Sequence, residues 1–132
     1  MIVLDTHALV WWVNEDGKLS ARARREITGE QRGARQILVS AITAWEIAML
    51  LKKGRLRLTM EFDEWLSAVA GIEGVQMVSV SPHIAVQSVH LPGDFHLDPA
   101  DRMIVALARE MNAPVITADA RIQAYPHVRW IW

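Results

Sequence analysis

Ile2-Val3-Leu4-Asp5, continued by Thr6-His7-Ala8-Leu9-Val10-Trp11-Trp12, sets the pattern of the chain. A short apolar run meets an acid and passes directly into a segment of helical character. Four further β-branched or apolar runs repeat the pattern, at Gln36 to Ser40, Gln76 to Val80, Pro114 to Ala118 and Val128 to Trp132, with longer helical segments between them. Strands that are apolar without alternation need cover on both faces. A parallel sheet with helices on either side supplies it, so the expected fold is α/β.

The intervening helices carry their own start and stop signals. Ser20 can cap a helix running to about Glu30, and Ser40 can cap the next, Ala41 to Lys53. In the latter, Lys52 and Lys53 suit the negative C-terminal end and Gly54 supplies a left-handed stop. Further helices are expected to begin near Thr59 and Pro82. The clearest start is Asp98-Pro99-Ala100-Asp101, with Asp98 as N-cap and Pro99 in the first helical position, opening a helix to about Met111.

With 132 residues, 52% hydrophobic, the chain can bury roughly two-thirds of its unfolded surface and reads as a single domain over 1–132. It has no Cys, which excludes disulfide frameworks, thiol nucleophiles and zinc ribbons. The charged groups nearly balance, 14 Lys plus Arg against 15 Asp plus Glu, so the surface is not uniformly basic. No repeat, low-complexity tract or Pro/Gly/Ser-rich linker divides it. The longest apolar stretches, Ala8 to Val13 and Ala41 to Leu51, fall short of the roughly 18 residues of a membrane span. No basic segment precedes Ile2-Val3-Leu4 and an acid follows, so no signal peptide is visible and a cytoplasmic location is expected.

In an open parallel sheet, ligands collect beyond the C-terminal ends of the strands, where the strand order reverses. Asp5 ends the first run, though it is equally a helix cap. Glu46 sits in Ala-Ile-Thr-Ala-Trp-Glu-Ile-Ala-Met-Leu-Leu, 41 to 51, where only Thr43 and Glu46 are polar, so that helix is expected to be mostly buried and its carboxylate to need a cation or donors. Six residues beyond Ser40 is about 9 Å of helical rise, and helical side chains lean back toward the sheet edge. Asp101 shares a stripe with Ile104, Val105 and Ala108 and should face inward, although an acid in the first turn also suits the positive helix end. Asp119 follows Val115-Ile116-Thr117, and capping again explains it as well as function does. Carboxylates forced together repel and demand a counter-cation. A hard divalent ion, Mg²⁺ or Mn²⁺, suits such ligands and fits metal-assisted phosphodiester hydrolysis.

Four blocks, Ile-Val-Leu-Asp5-Thr6-His7-Ala-Leu-Val-Trp-Trp, Val-Ser-Ala-Ile-Thr-Ala-Trp45-Glu46-Ile-Ala, His96-Leu-Asp98-Pro-Ala-Asp101-Arg102-Met-Ile-Val-Ala-Leu-Ala and Val-Ile-Thr117-Ala-Asp119, resemble the PIN domain of the VapC toxin family. They occur in order across nearly the whole chain. The resemblance implies a three-layer α/β/α fold with a central, mainly parallel five-stranded sheet. It also implies a Mg²⁺- or Mn²⁺-dependent endoribonuclease and toxin, silenced by an antitoxin encoded beside it. The family's acidic quartet carries over onto Asp5, Glu46, Asp101 and Asp119 as catalytic metal ligands, with Asp98 as a further acid that either binds metal or only caps its helix. Thr6 and Thr117 match the hydroxyl residues that orient carboxylate or water. The implied reaction is in-line attack of activated water on phosphorus, leaving a 5′-phosphate and a 3′-hydroxyl.

Arg102, directly after Asp101, is the expected contact for substrate phosphate. Lys18, Arg22, Arg24, Arg25, Arg32 and Arg35 outnumber Glu26 and Glu30, and Lys52, Lys53, Arg55 and Arg57 form a second basic run. Both could attract an RNA backbone or could be solvated helix faces. Of six Trp, Trp130 and Trp132 alternate in a terminal strand and are expected in the core, whereas Trp11 and Trp12 cannot face the same way. One of these, or the apolar surplus of the 41–51 helix, could cover a homodimer or antitoxin contact. The five His show no paired ligand spacing. Asp5-Thr6-His7 also fits the opening of two-metal phosphoesterases, whose later Gly-Asp and Gly-Asn-His blocks are missing. The alternative from another class is a non-catalytic α/β partner-binding domain with a structural cation site.

Overall fold

The computed structural model describes residues 1–132. Strands and helices follow in the order β1 (Ile2–Leu4), α1 (Thr6–Val13), α2 (Ala21–Arg32), β2 (Ile37–Ser40), α3 (Ala41–Lys52), α4 (Phe62–Ala70), β3 (Val75–Val78), α5 (Pro82–Val89), α6 (Pro99–Glu110), β4 (Val115–Ile116), α7 (Ala120–Ala124) and β5 (Trp130–Ile131). The five strands form one sheet in the order β3-β2-β1-β4-β5, and every pairing is parallel. Val3 lies opposite Leu38 on one side and Val115 on the other, so β1 is the central strand. Successive strands step outward from β1 to β3, then the chain returns to β4 on the opposite flank. The order therefore reverses between β1 and β4, and the crevice beyond their C-terminal ends is the switch point of the sheet.

The strand side chains alternate between two cores, which is why the runs are apolar throughout. Ile2, Leu4, Ile37, Val39 and Ile116 join one cluster with Leu9, Ala23, Ile27, Ile47 and Trp65. Val3, Leu38 and Val115 join the other with Ile84, Ile104, Val105 and Ile122. The period of two in a pleated strand sends neighbours to opposite faces, and helices cover both. No helix is long and apolar enough to cross a membrane.

The caps form where the sequence places them. Ser20 Oγ accepts from Ala23 N, Ser40 Oγ from Ile42 N, and Asp98 Oδ1 from Ala100 N, while Gly54 takes φ +70 at the end of α3. The helix expected near Thr59 begins at Phe62, with Asp63 and Glu64 filling its first turn at the positive end. Strand β3 begins and ends earlier than the run Gln76 to Val80, because its partner β2 stops at Ser40, opposite Val78.

Two expectations are corrected. Helix α3 is not mostly buried: only Thr43 and Ile47 are buried, and Trp45 is 53% exposed. A helix can be apolar on faces that its own domain leaves uncovered. Trp130 is exposed rather than core, because β5 is an edge strand whose outer face lies beyond the helices covering its register partner Val115. Trp132 is half-buried against the first core, its ring centroid 5.8 Å from that of Trp11.

Candidate active site

The switch point assembles acids from four separate segments. Asp5 follows β1, Glu46 lies on α3, Asp98 and Asp101 open α6, and Asp119 caps α7 just after β4. All five line one cavity of about 310 Å³, together with His7, Trp11, Ala118 and Arg121. Glu46, Asp98 and Asp101 each offer a carboxylate oxygen, and these oxygens lie within 4.8 Å of one another.

Each acid is held by local hydrogen bonding. Asp5 caps α1, its Oδ1 accepting from Thr6 N at 2.8 Å, and its Oδ2 accepts from Thr117 Oγ1 at 2.7 Å. The Thr6 and Thr43 hydroxyls meet at 3.1 Å, a buried link between α1 and α3. Thr117 Oγ1 also accepts from Asp119 N at 3.0 Å, so one hydroxyl serves two acids. Asp98 uses Oδ1 to cap α6 and still presents a carboxylate oxygen to the cluster; capping and cation-facing positions coexist in one side chain. Asp119 Oδ1 accepts from Arg121 N and Ile122 N.

Crowding sets the electrostatics. Asp101 is buried and its carboxyl is pushed up to about 8, first by loss of water and then by the charges of Asp5, Asp98, Asp119 and Glu46. Burial raises Asp5, against the pull of the Thr117 and Thr6 donors. Glu46 is raised by burial and further by Asp5 and Asp98, with Thr6 working in the opposite direction. Burial works to raise Asp119 as well, but the hydrogen bonds and charge of Arg121 more than offset it and hold it low.

Two basic side chains not singled out by the sequence meet Asp101. Arg121 Nη2 lies 3.2 Å from Asp101 Oδ2 and 3.1 Å from Asp119 Oδ2, bridging the two acids. His96 Nε2 lies 3.1 Å from the same Asp101 oxygen, while its Nδ1 accepts from Asp98 N at 3.3 Å. That acceptor role leaves the proton on Nε2, which is buried and makes no hydrogen bond despite the nearby Asp101 oxygen. Burial and the Arg121 charge lower the affinity of His96 for a second proton. The spacing Asp119-x-Arg121 at a helix start was the available signal for the first, and His96-x-Asp98 for the second.

Arg102 is not brought into the cavity. Its guanidinium donates to four backbone carbonyls: Nε to Ser88 at 2.8 Å, Nη1 to Phe95 at 2.9 Å and His96 at 3.1 Å, and Nη2 to Val89 at 3.3 Å. It staples the end of α5 and the loop after it to α6, and Arg121 is the guanidinium at the acids.

The donor set fits a hard divalent cation. The three converging oxygens are all carboxylate, and the upward shift of Asp101 is the strain that such a charge relieves. Fold and site together define a parallel α/β domain with an acidic, cation-fitting centre at its switch point. Its sequence pattern is that of the PIN domain over residues 2–128, and the chain belongs to that family. It is 35% identical over 128 residues to ribonuclease VapC22 of Mycobacterium tuberculosis, spanning 97% of this chain and 94% of that one. Among solved structures it resembles VapBC2 of Rickettsia felis bound to a promoter DNA fragment, with TM-score 0.72, 15% identity and coverage of 99% and 98%. It also resembles VapC20 of Mycobacterium tuberculosis, a sarcin-ricin loop cleaving toxin, with TM-score 0.65, 16% identity and coverage of 98% and 99%. At those identities the structural likeness concerns the fold.

Proposed function

We propose that this protein is a Mg²⁺- or Mn²⁺-dependent endoribonuclease, the toxin of a toxin–antitoxin pair, acting in the cytoplasm as a homodimer until a cognate antitoxin silences it. One observation carries the reading: five carboxylates from four chain segments converge in one cavity, with Asp101 pushed up to about 8 by burial and by its acidic neighbours. Its similarity in sequence to a ribonuclease supports the substrate class.

Glu46, Asp98 and Asp101 would hold the cation, with Asp5 and Asp119 facing it from the strand ends. A bound divalent cation would supply charge neutralisation at the phosphoryl oxygens and a lowered pKa for water. The chain's own residues do the positioning. Thr117 and the Thr6 backbone fix both oxygens of Asp5, leaving its orientation independent of substrate. Arg121 holds a guanidinium at the mouth, where it can pair with a phosphate oxygen in place of Asp101 and Asp119.

The test is incubation of purified, partner-free protein with total RNA in Mg²⁺, in Mn²⁺ and in chelator, beside Asp5→Asn. Discrete products that need the metal and vanish in the variant are expected. Folded wild-type protein that leaves every RNA intact in both metals would overturn the nuclease reading and favour a partner-binding domain.

A further inference from the structure

A second cavity, of about 310 Å³, opens on the far side of Glu46 and Asp98 and shares both residues with the acidic one. Its walls are of a different kind. Trp45, Met49 and Lys53 follow one another at spacings of four along α3, and Pro99 and Arg55 complete the rim. Trp45 is 53% exposed, the largest apolar side chain left open beside the site. Lys53 and Arg55 have no carboxylate partner, although acids crowd the adjoining cavity.

We propose that this groove is a subsite for single-stranded RNA next to the scissile phosphate, with Trp45 stacking on a base and Lys53 and Arg55 pairing with the backbone phosphate beyond it. The proposal rests on the ribonuclease reading above and deepens it. An open indole beside two unpaired cations is the arrangement that holds an unpaired nucleotide, since every base has a stacking face and every phosphate needs a counter-charge. The eight steps from Trp45 to Lys53, the C-cap of α3, span about 12 Å, enough to separate a base contact from the next phosphate contacts along one strand. A protein partner fits less well. An apolar docking partner would have to bury Lys53 and Arg55 against the edge of the groove without a matching acid from this chain. The shared walls at Glu46 and Asp98 make the acidic cavity and the stacking platform adjoin, so a strand whose phosphate enters one can lay its neighbour in the other.

The test is anisotropy of a fluorescein-labelled, mixed-sequence 12-mer RNA in Mg²⁺, with all proteins carrying Asp5→Asn so that nothing is cut. Trp45→Leu is expected to weaken binding at least fivefold and Trp45→Phe to restore most of it, as for loss and return of one stacked base. Lys53→Gln with Arg55→Gln should lower the slope of log affinity against log salt by about 1.4, the single-strand value for two phosphate contacts. In the active background, Trp45→Leu should raise KM and leave kcat within about twofold. Affinity and KM of Trp45→Leu within twofold of wild type would overturn the subsite while cleavage by wild type kept the nuclease reading. RNA binding sensitive to Trp45 in a protein that never cleaves would do the reverse. A Trp45→Leu variant that sediments at a smaller mass with unchanged RNA affinity would assign the groove to a second copy of the chain and overturn the proposal.

Discussion

Thr117 Oγ1 donates to Asp5 Oδ2 at 2.7 Å across 112 positions of sequence, joining the C-terminal ends of β4 and β1 where the strand order reverses. Both groups are buried, so the bond has no water to replace it. Thr117→Val removes the hydroxyl at nearly constant volume and leaves Asp5 with one donor fewer. A loss of roughly 1–3 kcal/mol in unfolding free energy is expected, read by urea denaturation at neutral pH. Thr117→Ser should recover most of it. Equal stability of the Val variant would show that the Asp5 carboxyl does not depend on this donor.

The raised carboxyl of Asp101 gives a signed pH prediction. Its folded value of about 8 exceeds the ordinary aspartate value of 3.8, so between these limits the folded state binds more protons than the unfolded one. Unfolding free energy from this group therefore falls as pH rises through that window. Asp101→Asn should stabilise the cation-free protein by about 1–3 kcal/mol near pH 7.5, with the advantage shrinking toward pH 4. Melting curves in chelator across pH 4 to pH 8 check it. A variant less stable than wild type throughout would contradict the sign.

Divalent cation should reverse that penalty. Mn²⁺ at about 100 times its dissociation constant is expected to add roughly 2.7 kcal/mol to the wild type. Glu46→Gln and Asp101→Asn should lose most of the gain. Thermal melts with Mn²⁺ and with chelator distinguish this from a general salt effect, which would move all three proteins equally.

Asp98 combines a cap with a place in the carboxylate cluster, and two substitutions separate these roles. Asp98→Asn keeps the cap acceptor, so stability should stay within about 0.5 kcal/mol while Mn²⁺ affinity drops at least tenfold by calorimetry. Asp98→Ala should lose the affinity and about 1 kcal/mol of stability as well. Unchanged Mn²⁺ affinity in Asp98→Asn would leave it a cap alone.

Arg102 and Arg121 should behave oppositely. Arg102→Met strands four backbone carbonyls and is expected to destabilise by roughly 2–4 kcal/mol. Arg121 is largely exposed, and Arg121→Gln should fold normally but weaken RNA binding and lower its salt slope by about 0.7. Denaturation and salt-dependent anisotropy on the same two proteins settle both.

Features set by neighbours in sequence were legible before the fold was known. Ser20, Ser40 and Asp98 cap because their acceptors reach N–H groups two or three residues on. The runs of β1, β2 and β4 were legible because two cores bury both of their faces, leaving no polar alternation to confuse them. Features set by distant neighbours were not. The apolar composition of α3 indicates that it can be buried, not that anything in this chain covers Trp45. Arg102 adjoins Asp101 in sequence, yet one step along a helix turns the side chain by about 100°, away from the cavity and toward carbonyls at the end of α5 and in the loop beyond it. Arg121 meets Asp101 from 20 residues away, a contact that only the return of β4 beside β1 creates.

The Asp5–Thr117 pair ties the first acid of the chain to a strand that is made almost last. On the proposed reading, a nascent chain shorter than 117 residues carries Asp5, Glu46, Asp98 and Asp101 without the Thr117 donor that fixes Asp5 and without Asp119. A chain truncated before β4 is expected to leave RNA uncut even though most of its acids are present.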